Sequence, residues 1–272
     1  TSTFVAVMVY LIVTRDPFDA LIAADNNGSR YLGPLELTAA ASFNSYFGMN
    51  ERISGQFVLA PQLGNGTELG YGMLSYEQPV WDNGTILELL VSYTKTEPGF
   101  DLRPFDVEGI SKFASVKLTH PFIRSRAQNL YAHAGFDGRN LVSKNNVEAV
   151  GRDDRIRAVR IGSRYELLDT IFGAGINSAD VELAKGVGWF NASDENDPEL
   201  TRLQGDPTFF KLTAALQRLQ RITSNVNLLV GVSGQWAAQP LLSSEEFGVG
   251  GINSGRGYDP SEITGEDGIA GQ

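Results

Sequence analysis

The residues best suited to chemistry lie near the end of the chain, in the run Gly250-Gly251-Ile252-Asn253-Ser254-Gly255-Arg256-Gly257-Tyr258-Asp259-Pro260-Ser261-Glu262-Ile263-Thr264-Gly265. A single arginine, Arg256, stands between Gly255 and Gly257, with Tyr258 beside it. Glycines on both sides allow a tight backbone, so the guanidinium can be pushed into a confined space. Its planar fork suits a bidentate bond to a carboxylate. This is the chemistry of an anchor rather than of a reaction. The same residues also fit an exposed flexible loop with a solvated arginine, and spacing alone leaves both readings open.

Other reactive groups are sparse. His120 and His133 are the two histidines of the chain, with Asp137 the one carboxylate close by in sequence. A metal centre needs more ligands than that, so wall or turn histidines are expected. Neither histidine has a Gly-x-Ser-x-Gly nucleophile context to serve. The chain also lacks a Gly-rich phosphate loop ending in Lys-Ser/Thr. No catalytic, cofactor-binding or metal-binding residues are therefore expected, and the chain does not read as an enzyme. The acidic pairs Asp153-Asp154 and Glu245-Glu246 are expected to be solvated charge in turns or loops.

The elements that must carry these residues alternate with period two along most of the chain. Leu35, Leu37, Ala39, Ala41 and Phe43 share one face; Glu36, Thr38, Ala40, Ser42 and Asn44 share the other. Ile53 to Leu59, Leu87 to Tyr93, Leu130 to Phe136 and Val226 to Trp236 follow suit, with Leu90 an exception. The segment from Arg155 to Glu166 is poorer, because cations fall on both faces. Phe209 to Ile222 allows a helix through Leu212, Leu216 and Leu219, but Thr208, Phe209, Phe210 and Thr213 favour a strand. Asn26-Asn27-Gly28-Ser29, Gly64-Asn65-Gly66, Asp82-Asn83-Gly84 and Gly205-Asp206-Pro207 supply turns between the runs. The count is about eleven strands of roughly 9–13 residues, longer than the usual soluble strand and close to the 9–11 residues of a tilted membrane strand.

Composition narrows the classes. A formal charge of −10 argues against a duplex-binding surface. Cysteine is absent and glycine contributes 30 of 272 residues, which fits passage through an oxidising compartment and many turns. The longest apolar run, Phe4 to Val13, is half of what a membrane helix needs. A soluble sandwich and a large barrel with a wet lumen both alternate, but strand length and tight turns favour an antiparallel transmembrane β-barrel. Phe43, Tyr46 and Phe47 at one strand end, and Tyr76 and Trp81 beside a turn, fit either an interfacial girdle or the ends of buried strands. Arg139, Asp137, His133 and Gln235 are then candidate lumen-lining residues. The run Arg152, Arg155, Arg157, Arg160 lines the lumen, faces lipopolysaccharide phosphates or ends a solvated hairpin.

The glycine-rich run resembles the RGY/F loop of the two-partner secretion transporters, the haemolysin secretion/activation family. Arg15-Asp16-Pro17-Phe18-Asp19 and Asp25 to Gly33 resemble that family's first barrel strand and hairpin; Glu97-Pro98-Gly99-Phe100-Asp101 and His120 to Arg126 resemble its middle strands. The resemblance covers the chain from about residue 15 onward. It implies an outer-membrane barrel of sixteen strands preceded by two periplasmic POTRA domains, with the RGY loop between strands eleven and twelve folded into the lumen. About eleven or twelve of those strands fit in this chain. The partner implied is a secreted exoprotein passed unfolded through the pore, without nucleotide or cofactor. Outer-membrane lipid, lipopolysaccharide and the barrel-assembly machinery are the other expected partners, and nucleic acid is not. Arg256 would anchor the loop in the lumen through an ion pair, Gly255 and Gly257 would shape its tip, and Tyr258 would pack it against the wall.

The family pattern is departed from in three places. Gly255 replaces the aliphatic residue that often precedes the arginine. Residues 1–14 read as the tail of a POTRA domain rather than a whole one. Gln272 falls inside strand twelve, so the aspartate-bearing strand that the loop arginine should meet lies beyond it. The expected division is thus 1–14 and a partial barrel over 15–272, with 241–265 the long loop. A barrel-assembly insertase or passive porin of the same shape is the alternative.

Overall fold

The computed structural model describes residues 16–62, 66–146, 151–251 and 254–272. The expected tail at 1–14, the turn residues Gly64 and Asn65, and Ile252 and Asn253 of the glycine-rich run lie outside the described residues.

Eleven strands precede the long connection: β1 (Phe18–Asp25), β2 (Glu36–Asn44), β3 (Arg52–Pro61), β4 (Thr67–Pro79), β5 (Ile86–Thr96), β6 (Glu108–Arg124), β7 (Gln128–Lys144), β8 (Arg152–Asp169), β9 (Gly175–Gly186), β10 (Phe210–Arg221) and β11 (Asn227–Ala237). A small hairpin follows, β12 (Phe247–Val249) with β13 (Ile263–Gly265), and then β14 (Gly268–Gly271). The eleven strands and β14 form one twelve-stranded sheet in the order β1 to β11, then β14. Each pairs antiparallel with its chain neighbour, and β11 with β14. The segment that also allowed a helix is strand β10, paired on both sides.

Register decides which side chains share a face. One face is overlaid by the 238–267 connection and carries Ser42, Ser54, Ser75, Glu88, Lys117, Asp137, Arg160, Glu182, Lys211 and Gln235. The other face carries Leu74, Leu89, Val91, Val116, Ile161, Leu183, Leu216 and Val230, each between 41% and 57% exposed. An apolar face of that extent is not stable against water; it is the surface a barrel turns to lipid. Among the described residues no helix is long and apolar enough to cross a membrane, which leaves crossing to the strands.

The sheet is lopsided. Tight connections, 45–51, 80–85, 125–127, 170–174 and 222–226, lie at one end; 26–35, 97–107, 187–209 and 238–267 lie at the other. Phe43, Tyr46, Phe47, Trp81, Phe122 and Phe172 are exposed at the tight-turn end, which is where an interfacial aromatic girdle belongs. Pro121 cannot donate to the ladder, and the register slips by one residue there, between Pro121 and Ile123. Strands β6, β7 and β8 run to 17, 17 and 18 residues, longer than the sequence pattern indicates. Their extra length lies toward the long-loop end. There Lys112, Asn140, Arg155 and Arg157 interrupt the apolar face, so the strands continue out of the lipid band. Inside that end a compact cluster is fully buried: Ile156, Ala158, Ala184, Leu200, Phe209, Leu241 and Leu242.

Candidate functional site

Alternation in four strands brings Asp137 (β7), Arg160 (β8), Lys211 (β10) and Gln235 (β11) onto the loop-covered face near the long-loop end. Arg160 binds Asp137 through two bonds, Nε to Oδ2 at 2.5 Å and Nη2 to Oδ1 at 3.3 Å. The same Nη2 donates to both oxygens of Glu245, at 2.9 and 3.2 Å. Lys211 Nζ lies 2.7 Å from Glu245 Oε2 and donates to the Glu245 carbonyl at 2.9 Å. Gln235 Nε2 donates to the carbonyls of Glu245 and Glu266, at 3.1 and 2.9 Å. Asp137, Lys211, Gln235 and Glu245 are all buried. Removing one member of so buried a pair leaves an uncompensated charge, at a cost of about 3–5 kcal/mol.

Glu245 comes from the 238–267 connection, in a short 3-10 turn over Ser243–Glu245. Leu241 and Leu242 just before it sit in the buried cluster, so apolar burial and ionic pairing hold the same limb of the loop. Arg139 Nη1 donates to the Ser244 carbonyl at 3.3 Å. Arg202, from the 187–209 connection, ties both limbs: it donates to the Leu241 carbonyl at 2.6 Å and pairs with Glu246 at 2.9 Å and Glu266 at 3.0 Å. Burial opposes ionisation of Glu245, but the attraction of Arg160 and Lys211 outweighs it and holds the carboxyl below the ordinary glutamate range.

Of the four residues expected along the lumen, Asp137, Arg139 and Gln235 touch this network. His133 lies one step further along the same face, its Nε2 3.1 Å from Glu182 Oε2. Glu182 in turn accepts from Arg160 at 3.5 Å. The His133 ring lies over Gly162, its cross-strand partner, where a Cβ would come within 2.5 Å of the ring. His120 faces Thr85, Nδ1 to Oγ1 at 2.7 Å, and stacks edge-on to Phe122.

The glycine-rich run forms the turned tip between β12 and β13. Gly250 and Gly255 have φ of 127° and 116°, backbone that glycine tolerates and side chains resist. Gly251 N–H donates to the Tyr258 carbonyl and Tyr258 N–H to that of Gly255, both at 3.0 Å. Arg256, Gly257 and Tyr258 are exposed at this tip. Beside them Asp259 pairs with Arg30 of the first connection, Nε to Oδ2 at 2.5 Å, and this contact raises the Arg30 pKa.

Two expectations need correcting. Glu245 and Asp154 are not solvated: both are buried, Glu245 between two cations and Asp154 accepting from the Thr201 N–H and hydroxyl. The arginine run splits by parity, Arg160 on the loop-covered face and Arg155 and Arg157 on the apolar face. Sequence reading missed Arg160, Lys211, Arg202 and Glu245 as partners. A cation at a polar-face position inside a strand, as at 160 and 211, was the available signal. Among the described residues there is no cluster of three or more metal-ligating side chains.

A family model described as haemolysin secretion/activation protein ShlB/FhaC/HecB matches residues 7–272. Among curated relatives, the heme/hemopexin transporter protein HuxB of Haemophilus influenzae strain 86-028NP is 22% identical over 92% of this chain and 43% of its own length. CdiB from Escherichia coli superposes with a TM-score of 0.82 at 17% identity, covering 95% of this chain and 47% of that one. CdiB from Acinetobacter baumannii gives 0.71 at 16% identity, covering 94% and 45%. BamA from Haemophilus ducreyi lacking POTRA domains 1–3 gives 0.59 at 13%, covering 92% and 47%. The chain thus spans less than half the length of these relatives. With the match running over nearly all of its residues, and with an outer-membrane barrel sheet carrying a long loop after its eleventh strand, the chain belongs to the haemolysin secretion/activation family.

Proposed function

We propose that the protein is the outer-membrane translocator of a two-partner secretion system, passing an unfolded exoprotein through the barrel without nucleotide. The observation that supports this best is the 238–267 loop, laid on the polar face and pinned there by Glu245, Arg160 and Lys211. In this reading 15–272 is barrel, 1–14 belongs to a POTRA domain, and 241–265 occupies the lumen. Asp137, Arg139, His133 and Gln235 line the passage. A wall of paired charges and amides solvates an extended chain while leaving few unmatched groups to grip it.

The loop must yield for a chain to pass. Leaving its clamp means exposing Leu241 and Leu242 and separating Glu245 from two cations, so the resting state is closed by default. Arg256 engages a carboxylate of the wall beyond β14, Gly255 and Gly257 shape the tip, and Tyr258 packs it. HuxB is named a heme/hemopexin transporter; here the cargo is a secreted exoprotein of haemolysin or adhesin type. Insertion into the outer membrane uses the barrel-assembly machinery.

Deleting the gene and measuring surface delivery tests this. The expected result is loss of one secreted partner, with other outer-membrane barrels and small-solute uptake unchanged. Depletion of many barrels would instead identify an insertase, and altered uptake with normal secretion a porin.

A further inference from the structure

The apolar face is hollowed over strands β4 to β8. A groove of about 900 Å³ opens on it, floored by Ala114 and Gly138 and walled by Leu74, Leu89, Val91, Val116 and Phe136. At its long-loop end stand Lys112, Asn140 and Arg157. That volume is in the range of small-molecule sites, and its polarity is graded: aliphatic toward mid-sheet, cationic toward the loops.

We infer that this groove binds one phosphorylated glycolipid of the outer leaflet, acyl chain along Leu89, Val91 and Val116 and phosphate against Lys112 and Arg157. Three observations carry the assignment. The first is depth. On β8 the outward residues below Arg157 are Val159, Ile161, Ser163, Tyr165 and Leu167, eleven residues from 157 to 167. That is the length of a strand crossing the hydrocarbon layer, about 9–11 residues, so the cations sit at the headgroup boundary. Outer-membrane barrels carry their longer loops on the extracellular side, which makes this the outer-leaflet boundary.

The second is unspent charge. Arg160, Arg164, Arg202 and Arg218 each pair with a carboxylate. Lys112 and Arg157, which line the groove, and Arg155 beside it are among the described cations that form no ion pair, in a chain of net charge −10. Arg157 is held by carbonyls alone, Nε to Phe190 at 3.2 Å and Nη1 to Arg139 and Ile156 at 3.2 and 2.7 Å. The third is unmet hydrogen bonding. Beside the groove, on the residue paired with Asn140, the donor Arg155 Nε is buried without a partner. Phe190 packs edge-on against Phe136 of the groove wall at 5.6 Å. A phosphate beside an acyl chain satisfies the cations and fills the floor together; a guanidinium–phosphate contact is the pairing arginine favours.

Native mass spectrometry of the intact protein in detergent tests this with three probes: bisphosphorylated lipid A, phosphatidylglycerol and inorganic phosphate. Wild type should retain one lipid A at concentrations where tenfold more of either other probe is not retained. Lys112→Gln with Arg157→Gln should lower lipid A retention at least tenfold. Ala114→Phe fills the floor without touching a charge and should also lower it; heat-modified gel migration confirms that each variant is folded. Equal retention of phosphatidylglycerol, or unchanged lipid A retention in a folded Ala114→Phe protein, would overturn the assignment. The result is independent of whether the pore secretes.

Discussion

The carboxylate of Glu245 and the guanidinium of Arg160 meet at 2.9 Å although 85 residues separate them in the chain. The bond joins a loop to a strand three places away in the sheet. Lys211 closes on the same carboxylate from β10, one of the two strands between. The loop therefore rests in a socket made by wall residues, and the socket can be broken without breaking the wall.

Arg160→Ala leaves Asp137 and Glu245 buried with fewer partners. The expected cost is about 3–5 kcal/mol, placed mainly on the loop. Limited proteolysis should cut within 238–267 at least tenfold faster, while the barrel still shows heat-modified migration. Protection equal to wild type would remove the clamp.

The clamp should depend on pH in one direction. The docked loop holds Glu245 ionised and its pKa below the ordinary 4.5. The undocked loop binds the proton more readily, so docking is fully favoured above about 4.5 and weakens as pH falls through the lowered value. Hydrogen-exchange protection in 241–246, corrected for the intrinsic rate at each pH, should stay high at neutral pH and at pH 5, and fall only in more acidic buffer. Glu245→Gln should exchange faster at neutral pH and lose this dependence.

The Arg30–Asp259 pair is exposed on the Arg30 side and will add little to stability. Its use is as a distance marker between the first connection and the loop tip. Because the chain has no cysteine, Arg30→Cys with Asp259→Cys gives a clean background for a short thiol cross-linker. The linker should bridge the pair in the resting protein and stop secretion, with reversal on cleavage of the linker.

Arg256→Ala should impair secretion while leaving assembly intact, measured as exoprotein at the surface against barrel in the outer-membrane fraction. Normal secretion by this variant would deny Arg256 the role of loop anchor.

Gly162→Ala places a Cβ within 2.5 Å of the His133 ring and 2.6 Å of the Val181 carbonyl. Overpacking of this kind costs about 1–3 kcal/mol. The midpoint of heat-modified migration should fall, and His133→Ala should restore part of the loss by emptying the space over the glycine.

Much of the fold was legible because a strand states its two faces in every pair of residues. Leu37 and Phe43 against Ser42 and Asn44 needed no context to read. The site was less legible, since Arg160 and Glu245 are ordinary charges until register and loop path bring them together. Glu245-Glu246 looks like any acidic loop pair, and what buries the first is Leu241 and Leu242, four and three residues earlier, entering an apolar cluster. The mixed cations of 152–164 broke the alternation for a physical reason. Near the loop end the outer face meets headgroups rather than hydrocarbon, so both faces tolerate charge.

The strict neighbour-to-neighbour order of the sheet also sets a timetable. Each strand from β2 to β11 finds its partner in the strand just made, so pairing proceeds by local closure, the fast kind. The Glu245 socket cannot follow that schedule, because its walls come from β7, β8, β10 and β11 and its occupant comes later still. Its formation therefore waits on strands that lie far apart in the chain, and the loop can seat only once that wall exists.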